Sequence, residues 1–218
     1  MPLLSVQPSP PIAGVWKITE TWRDMLALFQ DKDLYASEID KIQADSRKRE
    51  WLAVRLLVKH LTGRELPISY RSNGAPFLSG QPDHISISHT KGYAAVILSE
   101  TPLPGIDIEY RSERAWKLRA KYLSDNEIEQ CKMIASCQTD PLLSPAQETL
   151  ATLYWCAKET AYKALQASGV DFIKHLYLEP FPLSATGVFA LKATLSASTS
   201  TYTIHYQITE DYILTWKA

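Results

Sequence analysis

Apolar residues recur along the chain with two different periods, and these periods predict its helices and strands. Spacings of three and four residues, typical of one face of a helix, predict helices at 21–31, 37–62, 112–121, from 124 onward and at 144–167. Alternating or short continuous apolar runs predict strands at 12–18, 67–71, 84–88, 92–99 and 105–110, followed by three short strands between 177 and 217. Because helices and strands do not alternate strictly, the pattern favours an α+β fold over a doubly wound parallel sheet.

A proline-containing segment, 101–104, divides this pattern into two parts of similar kind. Each part contains a long helix and several short strands, which predicts a small, mainly antiparallel sheet packed on a long helix. We therefore predict two halves, 1–103 and 104–218. Helix starts are signalled in the second half, where Ser124 and Glu127 match a capping box and Pro145 follows Ser144 at the start of the last long helix.

The composition is that of a globular protein with almost no net charge. Of 218 residues, 45% are hydrophobic and 22% charged, and the formal net charge is -1, unlike a disordered tail or a dedicated nucleic-acid binder. The three cysteines match neither a disulfide framework nor a zinc-site spacing. No apolar run approaches the ~20 residues of a membrane-spanning helix, and the first residues lack a secretory signal pattern. We expect a cytoplasmic protein without nucleic-acid or membrane partners.

The predicted strand Gly105–Tyr110 carries two acidic residues, Asp107 and Glu109, two positions apart. Side chains alternate between the faces of a strand, so both carboxylates lie on one face with Cα atoms ~6.5 Å apart. A divalent cation relieves the repulsion between carboxylates at that distance, and Mg²⁺ accepts one or two of them together with water and phosphate oxygens. The alternative is a solvated strand face, which this pentapeptide by itself favours.

The last long helix carries Trp155, Glu159 and Lys163 at intervals of four, so they share one stripe of its surface. An ordinary helix ion pair explains Glu159 and Lys163, and core packing explains Trp155. Against that simple explanation, the flanks of this helix are apolar, and a charged pair beside a tryptophan is then partly desolvated, which costs free energy.

Two features of the first half favour anion binding. Residues 41–65 contain seven Lys or Arg against three acids, with Arg47 and Arg55 two helical turns apart. Guanidinium groups suit phosphate, although a charge run is more often a solvated face. Ser88 and His89 end a predicted strand; the pair is not a hydrolase signature, but a histidine there can bond an anionic oxygen or a structural partner.

In this order, the segments resemble the 4'-phosphopantetheinyl transferase superfamily. Its members read G-[IV]-D-[IV]-E and, about 40–50 residues later, [WF]-x-x-K-E-[SAT]-x-x-K. Gly105–Glu109 and Trp155–Lys163 match these two motifs in order and at this separation. The stretch Arg47–Arg55 also resembles the basic helix of the longer single-chain members, the activators of surfactin and enterobactin synthetases. The resemblance covers about Arg47 to Leu165.

The resemblance implies an enzyme that moves 4'-phosphopantetheine from coenzyme A to a serine hydroxyl of an apo acyl or peptidyl carrier protein and releases adenosine 3',5'-bisphosphate. It implies dependence on Mg²⁺, with Mn²⁺ as an alternative, and a monomer whose halves are related by pseudo-twofold symmetry. The implied metal ligands are Asp107, Glu109 and Glu159. The implied catalytic residues are Glu159, as the base for the serine, with Lys163 and Lys158. Coenzyme A contacts are expected from Arg47, Arg55, Arg71, Gly74, Pro76, Ser88, His89, Asp107 and Lys163.

One position departs from the family pattern, because members commonly read Gly-Lys-Pro where this chain has Gly74-Ala75-Pro76. The change removes a cation expected near the coenzyme A phosphates. Two alternatives to an active transferase therefore stay open: a homologue that binds coenzyme A or a carrier protein without efficient transfer, and an α+β interaction protein whose charges are all solvated.

Overall fold

The computed structural model describes residues 3–7, 12–81, 84–195 and 198–217, and the chain has an α+β fold with antiparallel sheets. It divides into two compact units, residues 1–104 and 105–218. Within the residues described, no helix is long and apolar enough to cross a membrane. The α+β class predicted from the sequence is confirmed; the pseudo-twofold relation between the halves stays a prediction.

The first unit contains an antiparallel four-stranded sheet, a two-stranded hairpin and helices on the sheet. Its strands are β1 (Leu3–Gln7), β2 (Ile12–Lys17), β3 (Ile68–Tyr70), β4 (Pro76–Leu78), β5 (His84–Thr90) and β6 (Tyr93–Ser99). Its helices are α1 (Trp22–Ala27), α2 (Lys32–Ile39) and α3 (Asp45–Thr62). The sheet order is β1-β2-β6-β5, and β3 pairs with β4.

Helix α3 forms the core of this unit because its apolar face lies against β2 and β6. Leu52, Leu57 and Val58 on that face are fully buried. The helix ends at Gly63, which adopts a left-handed conformation (φ 71°) that glycine takes without steric cost.

The second unit contains a five-stranded antiparallel sheet with a long helix on one face. Its strands are β7 (Gly105–Tyr110), β8 (Leu176–Leu178), β9 (Thr186–Leu195), β10 (Ser198–Ile208) and β11 (Tyr212–Lys217), in the order β7-β11-β10-β9-β8. Its helices are α4 (Glu113–Leu118), α5 (Asp125–Ser136), α6 (Ala146–Leu165) and α7 (Phe172–His175), with short 3₁₀ helices at Arg119–Lys121 and Pro141–Leu143. Helix α6 packs on β7 and β11, so its sequence motif faces the strand that carries Asp107 and Glu109.

Several boundaries predicted from the sequence are confirmed. Strand β7 covers Gly105–Tyr110 as predicted. The capping box at the start of α5 is present, with Ser124 and Glu127 bonding each other's backbone N–H groups.

Other predicted boundaries are wrong. The predicted helix 37–62 is two helices, because α2 ends at Ile39, with Asp40 as its C-cap, and the chain turns before α3 begins at Asp45. Pro145 is the N-cap of α6 and not its first helical residue, and Gln166 ends that helix in a left-handed conformation. The described residues of the last part of the chain form four strands and not three, because the second predicted strand, before the break at 210–211, is the antiparallel pair β9 and β10.

Candidate active site

Strand β7 presents its two acidic side chains on the face that meets α6. As the alternation of a strand requires, Ile106 and Ile108 lie on the opposite face, and both are fully buried. Asp107 is 4% exposed, whereas Glu109 lies half-buried near the end of the strand. The alternative of a solvated strand face is therefore wrong for Asp107. Burial of its carboxylate costs free energy unless the charge is compensated.

Gly105 allows α6 to approach β7 closely. A Cβ atom at this position would lie 2.2 Å from the backbone carbonyl oxygen of Thr160, a distance that no real contact permits. Glycine at the head of the motif is thus required by the packing of the helix on the strand, next to Asp107.

The side chains of the α6 stripe lie along the acidic side chains of β7, and hydrogen bonds join the two elements at both ends of the stripe. At one end, Trp155 Nε1 donates a hydrogen bond to Glu109 Oε1 at 2.9 Å. At the other end, Lys163 Nζ donates to Asp107 Oδ1 at 2.7 Å and to the carbonyl of Ile106 at 2.9 Å. Glu159 lies on α6 midway between Trp155 and Lys163, so the structure brings together two motifs that are about 50 residues apart in the sequence.

The partly buried Glu159 has a perturbed pKa. Burial raises the pKa of Glu159 to about 7; the negative charge of Asp107 adds to the rise, Lys163 opposes it, and Glu109 adds a further contribution. This pattern of influences shows that the three carboxylates share one electrostatic environment. A carboxylate whose pKa lies near neutrality is suited to accept a proton at physiological pH.

The same carboxylates have the donor chemistry that a hard divalent cation prefers. In the described part of the chain, no three His, Cys, Asp or Glu side chains form a ready-made metal cage. Mg²⁺ does not need one, because it is commonly held by one or two carboxylates together with waters and phosphate oxygens. Asp107, Glu109 and Glu159 therefore fit a cation that is shared with a phosphate ligand, and such a cation would offset the repulsion among the three carboxylates.

Lys158, the neighbour of Glu159 in the sequence, lies in the interior of the second unit. Its side chain and that of Glu127 are both 0% exposed, and Nζ donates to Glu127 Oε2 at 2.8 Å. Nζ also donates to the carbonyls of Tyr122 and Phe172, both at 2.9 Å. All three ammonium protons are thus used inside the protein. This arrangement argues against the catalytic role predicted for Lys158 and gives it a structural one.

A cavity of about 800 Å³ opens beside Glu109 and Trp155 in the second unit. Apolar side chains form much of its wall, while Arg114 and Lys121 add positive charge. The main apolar lining residues are Ala115, Leu118, Trp155, Val170, Phe172 and Ile173. This cavity was not predictable from the sequence, because its walls come from β7, α4, α6 and α7, which are distant in the sequence.

In the first unit, the structure brings Arg47 and His89 together through an acid that the sequence reasoning missed. Arg47 Nη1 donates to Glu50 Oε2 at 2.9 Å and lies 3.5 Å from His89 Nε2. His89 Nδ1 lies 3.5 Å from the same Glu50 oxygen, and Ser88 next to it is buried. The spacing of Glu50 from Arg47, three residues along α3, is the signal that could have identified it.

The remaining residues predicted to contact coenzyme A are divided between the surface and the interior. Arg55 is 7% exposed, with its guanidinium 3.3 Å from the centre of the Trp51 ring and Nη1 bonded to the Trp51 carbonyl. This burial argues against the predicted phosphate contact. Arg71 is exposed, at the start of a turn in which Gly74 has φ 83° and which leads into Pro76.

Comparison with known proteins supports the resemblance seen in the motifs. The model of the 4'-phosphopantetheinyl transferase superfamily matches residues 104–216, which include β7, α6 and the five-stranded sheet. No curated protein matches the sequence significantly. The matched region is more than half of the chain and contains the paired stripes of α6 and β7; the chain belongs to the 4'-phosphopantetheinyl transferase superfamily.

Proposed function

We propose that the protein transfers the 4'-phosphopantetheine arm of coenzyme A to the serine hydroxyl of an apo acyl or peptidyl carrier protein. Family membership supports phosphopantetheine transfer in general. The observation that carries the specific proposal is the pairing of α6 with β7, which gathers three carboxylates and one lysine. Attack on a pyrophosphate requires a base for the nucleophile and positive charge at the phosphates, and this group contains the residues for both.

Glu159 is the proposed base. The serine oxygen attacks the phosphorus that bears the pantetheine arm, the bond from that phosphorus to the bridging pyrophosphate oxygen breaks, and the serine proton passes to Glu159. The products are the phosphopantetheinylated carrier and adenosine 3',5'-bisphosphate. Because burial raises the pKa of Glu159 to about 7 in the metal-free protein, this carboxylate is a stronger base than an exposed one near neutral pH.

Lys163 is the proposed cation for the departing bisphosphate. Its side chain is 27% exposed, unlike that of Lys158, so it is accessible to a ligand. Asp107, Glu109 and Glu159 would hold Mg²⁺ or Mn²⁺, which when bound supplies charge neutralisation at the pyrophosphate. The bond from Lys163 to Asp107 keeps the lysine beside this carboxylate.

The first unit supplies the proposed contacts to the nucleotide. Arg47 and His89, held together by Glu50, are suited to an anion such as the 3'-phosphate, and Arg71 at the exposed turn is a further candidate. Ser88, Gly74 and Pro76 are proposed as neighbouring contacts. In the second unit, the apolar cavity beside Glu109 has the size and lining for the pantetheine arm.

Intact-mass spectrometry of a carrier panel tests this function. The protein is mixed with coenzyme A, MgCl₂ and several apo carrier proteins, with EDTA in a parallel set. A gain of one phosphopantetheine on a carrier, absent with EDTA, is expected. Coenzyme A binding without any transfer would instead support the non-transferring homologue, for which Ala75 is the sequence argument. Neither binding nor transfer would overturn the proposal. Gel filtration tests the accompanying expectation of a monomer.

A further inference from the structure

Trp155 makes a polar contact that core packing does not require. Its indole Nε1 donates to Glu109 Oε1 at 2.9 Å, across from α6 to β7. A buried or half-buried indole N–H usually finds an acceptor, but here the acceptor is a carboxylate of the proposed cation site and not a backbone carbonyl. The sequence had suggested only a packing role for this residue.

The ring of Trp155 is held in place by aromatic neighbours. Tyr122 contacts it edge-on, with centroids 5.0 Å apart, and Phe172 packs against it at 5.7 Å. Both neighbours are in turn fixed, because their backbone carbonyls accept hydrogen bonds from the buried Lys158 ammonium. The indole N–H therefore points at Glu109 from a fixed ring, and its direction does not depend on a flexible side chain.

Glu109 needs such a partner more than Asp107 does. It lies near the end of β7, is only half-buried and has one more rotatable bond than aspartate, so ordering its carboxylate costs more conformational entropy. A hydrogen bond to one carboxylate oxygen restricts these rotamers and leaves the second oxygen to face another group. Partners of this kind orient metal ligands and tune their affinity.

We propose that Trp155 is a positioning residue that orients the Glu109 carboxylate toward the divalent cation, in addition to lining the cavity. This inference rests on the proposed function, since it requires that Glu109 holds the cation. It assigns to the first residue of the α6 motif a polar role in the same stripe as Glu159 and Lys163. The group that matters is the N–H and not the ring.

The substitution W155F tests this role because it removes the N–H and keeps an aromatic ring. The control is W116F, the same chemical change at a tryptophan elsewhere in the second unit, partly buried against its core. Mn²⁺ binding is measured by electron paramagnetic resonance in the presence of coenzyme A, and coenzyme A binding is measured calorimetrically with EDTA. We expect W155F to weaken Mn²⁺ binding about 10-fold or more, the range found for partners of metal ligands, while W116F stays within about 2-fold. Coenzyme A binding with EDTA stays close to wild type in W116F, and its value in W155F gives the part of any change that comes from the cavity wall and not from the cation.

Nuclear magnetic resonance of the wild-type protein tests the same role without W155F, in case that variant folds poorly. The wild-type protein has six tryptophans, whose indole N–H groups give separate nuclear magnetic resonance signals. Addition of Mg²⁺ to the protein that already holds coenzyme A is expected to shift the signal of Trp155, and the substitution E109Q is expected to abolish that shift.

The outcomes separate this inference from the proposed function. If wild type binds Mn²⁺ and transfers phosphopantetheine but W155F binds Mn²⁺ as tightly as wild type, the positioning role alone is wrong. If no indole signal responds to the metal, it is also wrong. If wild type neither binds Mn²⁺ nor performs transfer, the proposed function fails, and the role of Trp155 fails with it.

Discussion

Removal of the Lys158 ammonium, in K158M, tests whether this motif lysine is structural or catalytic. The substitution leaves Glu127 buried without its cation and leaves the Tyr122 and Phe172 carbonyls without their donor. Both side chains of the ion pair are 0% exposed, so water cannot compensate for the loss. Breaking a fully buried ion pair by removing one partner costs about 3–5 kcal/mol. For a chain of this size, that corresponds to a fall in Tm of about 6–20 °C.

The matched variant is K163M, at the other lysine of the motif. Lys163 is 27% exposed and bonds Asp107 and Ile106. We expect a smaller fall in Tm for K163M but a loss of transfer of about 10²–10³-fold, as found when a group that stabilises transition-state charge is removed. K158M, assayed well below its own Tm and normalised to folded protein, should lose much less turnover than K163M, because Lys158 acts only through the groups that it holds in place.

Differential scanning calorimetry and a single-turnover transfer assay on both variants provide the measurements. A third variant, K158M/E127Q, should recover part of the stability that K158M loses, because it removes the uncompensated buried charge. A structural role for Lys158 is excluded if K158M keeps the wild-type Tm and loses turnover as K163M does. In that case Lys158 would take part in catalysis, as the motif alone had suggested.

Three further outcomes follow from the site. Because the pKa of Glu159 is raised, the folded protein retains a proton at pH values where the unfolded chain has released it. The free energy of unfolding of the metal-free protein should therefore fall by up to about 3 kcal/mol as the pH rises from 5 to 8. Urea titrations across this range measure the fall, and E159Q should remove the pH dependence that Glu159 causes. G105A should lower Tm and Mn²⁺ affinity together, since its Cβ would meet the Thr160 carbonyl, whereas unchanged values would contradict the close approach. A75K, which restores the usual family residue, should tighten coenzyme A binding in calorimetry by about 3–10-fold at low salt, and an unchanged affinity would show that this turn does not contact the phosphates.

The parts of the site that local patterns determine were predictable. The alternation of β7 places Asp107 and Glu109 on one face, and the four-residue spacing on α6 places Glu159 and Lys163 on one stripe; both follow from the periods of a strand and a helix. The capping box of α5 is equally local.

Contacts between distant segments were not predictable from the sequence alone. The partner of Lys158, Glu127, lies 31 residues earlier, and its known local role as a capping residue gave no indication of the second bond. Arg55 differs from Arg47 in that apolar residues surround it on α3, so it is drawn into the core and stacks on Trp51. A basic run shows the charges but not which of them the tertiary fold buries.

We propose that the acidic stripe of β7, paired with α6, carries out phosphopantetheine transfer. The most direct test is the intact-mass transfer assay with D107N, which keeps the shape of the side chain and removes its charge, beside D125A, which removes an exposed carboxylate at the start of α5. A metal-dependent gain of phosphopantetheine on a carrier is expected with wild type and D125A, and none with D107N. Full turnover by a folded D107N would contradict the assignment of transfer to this site.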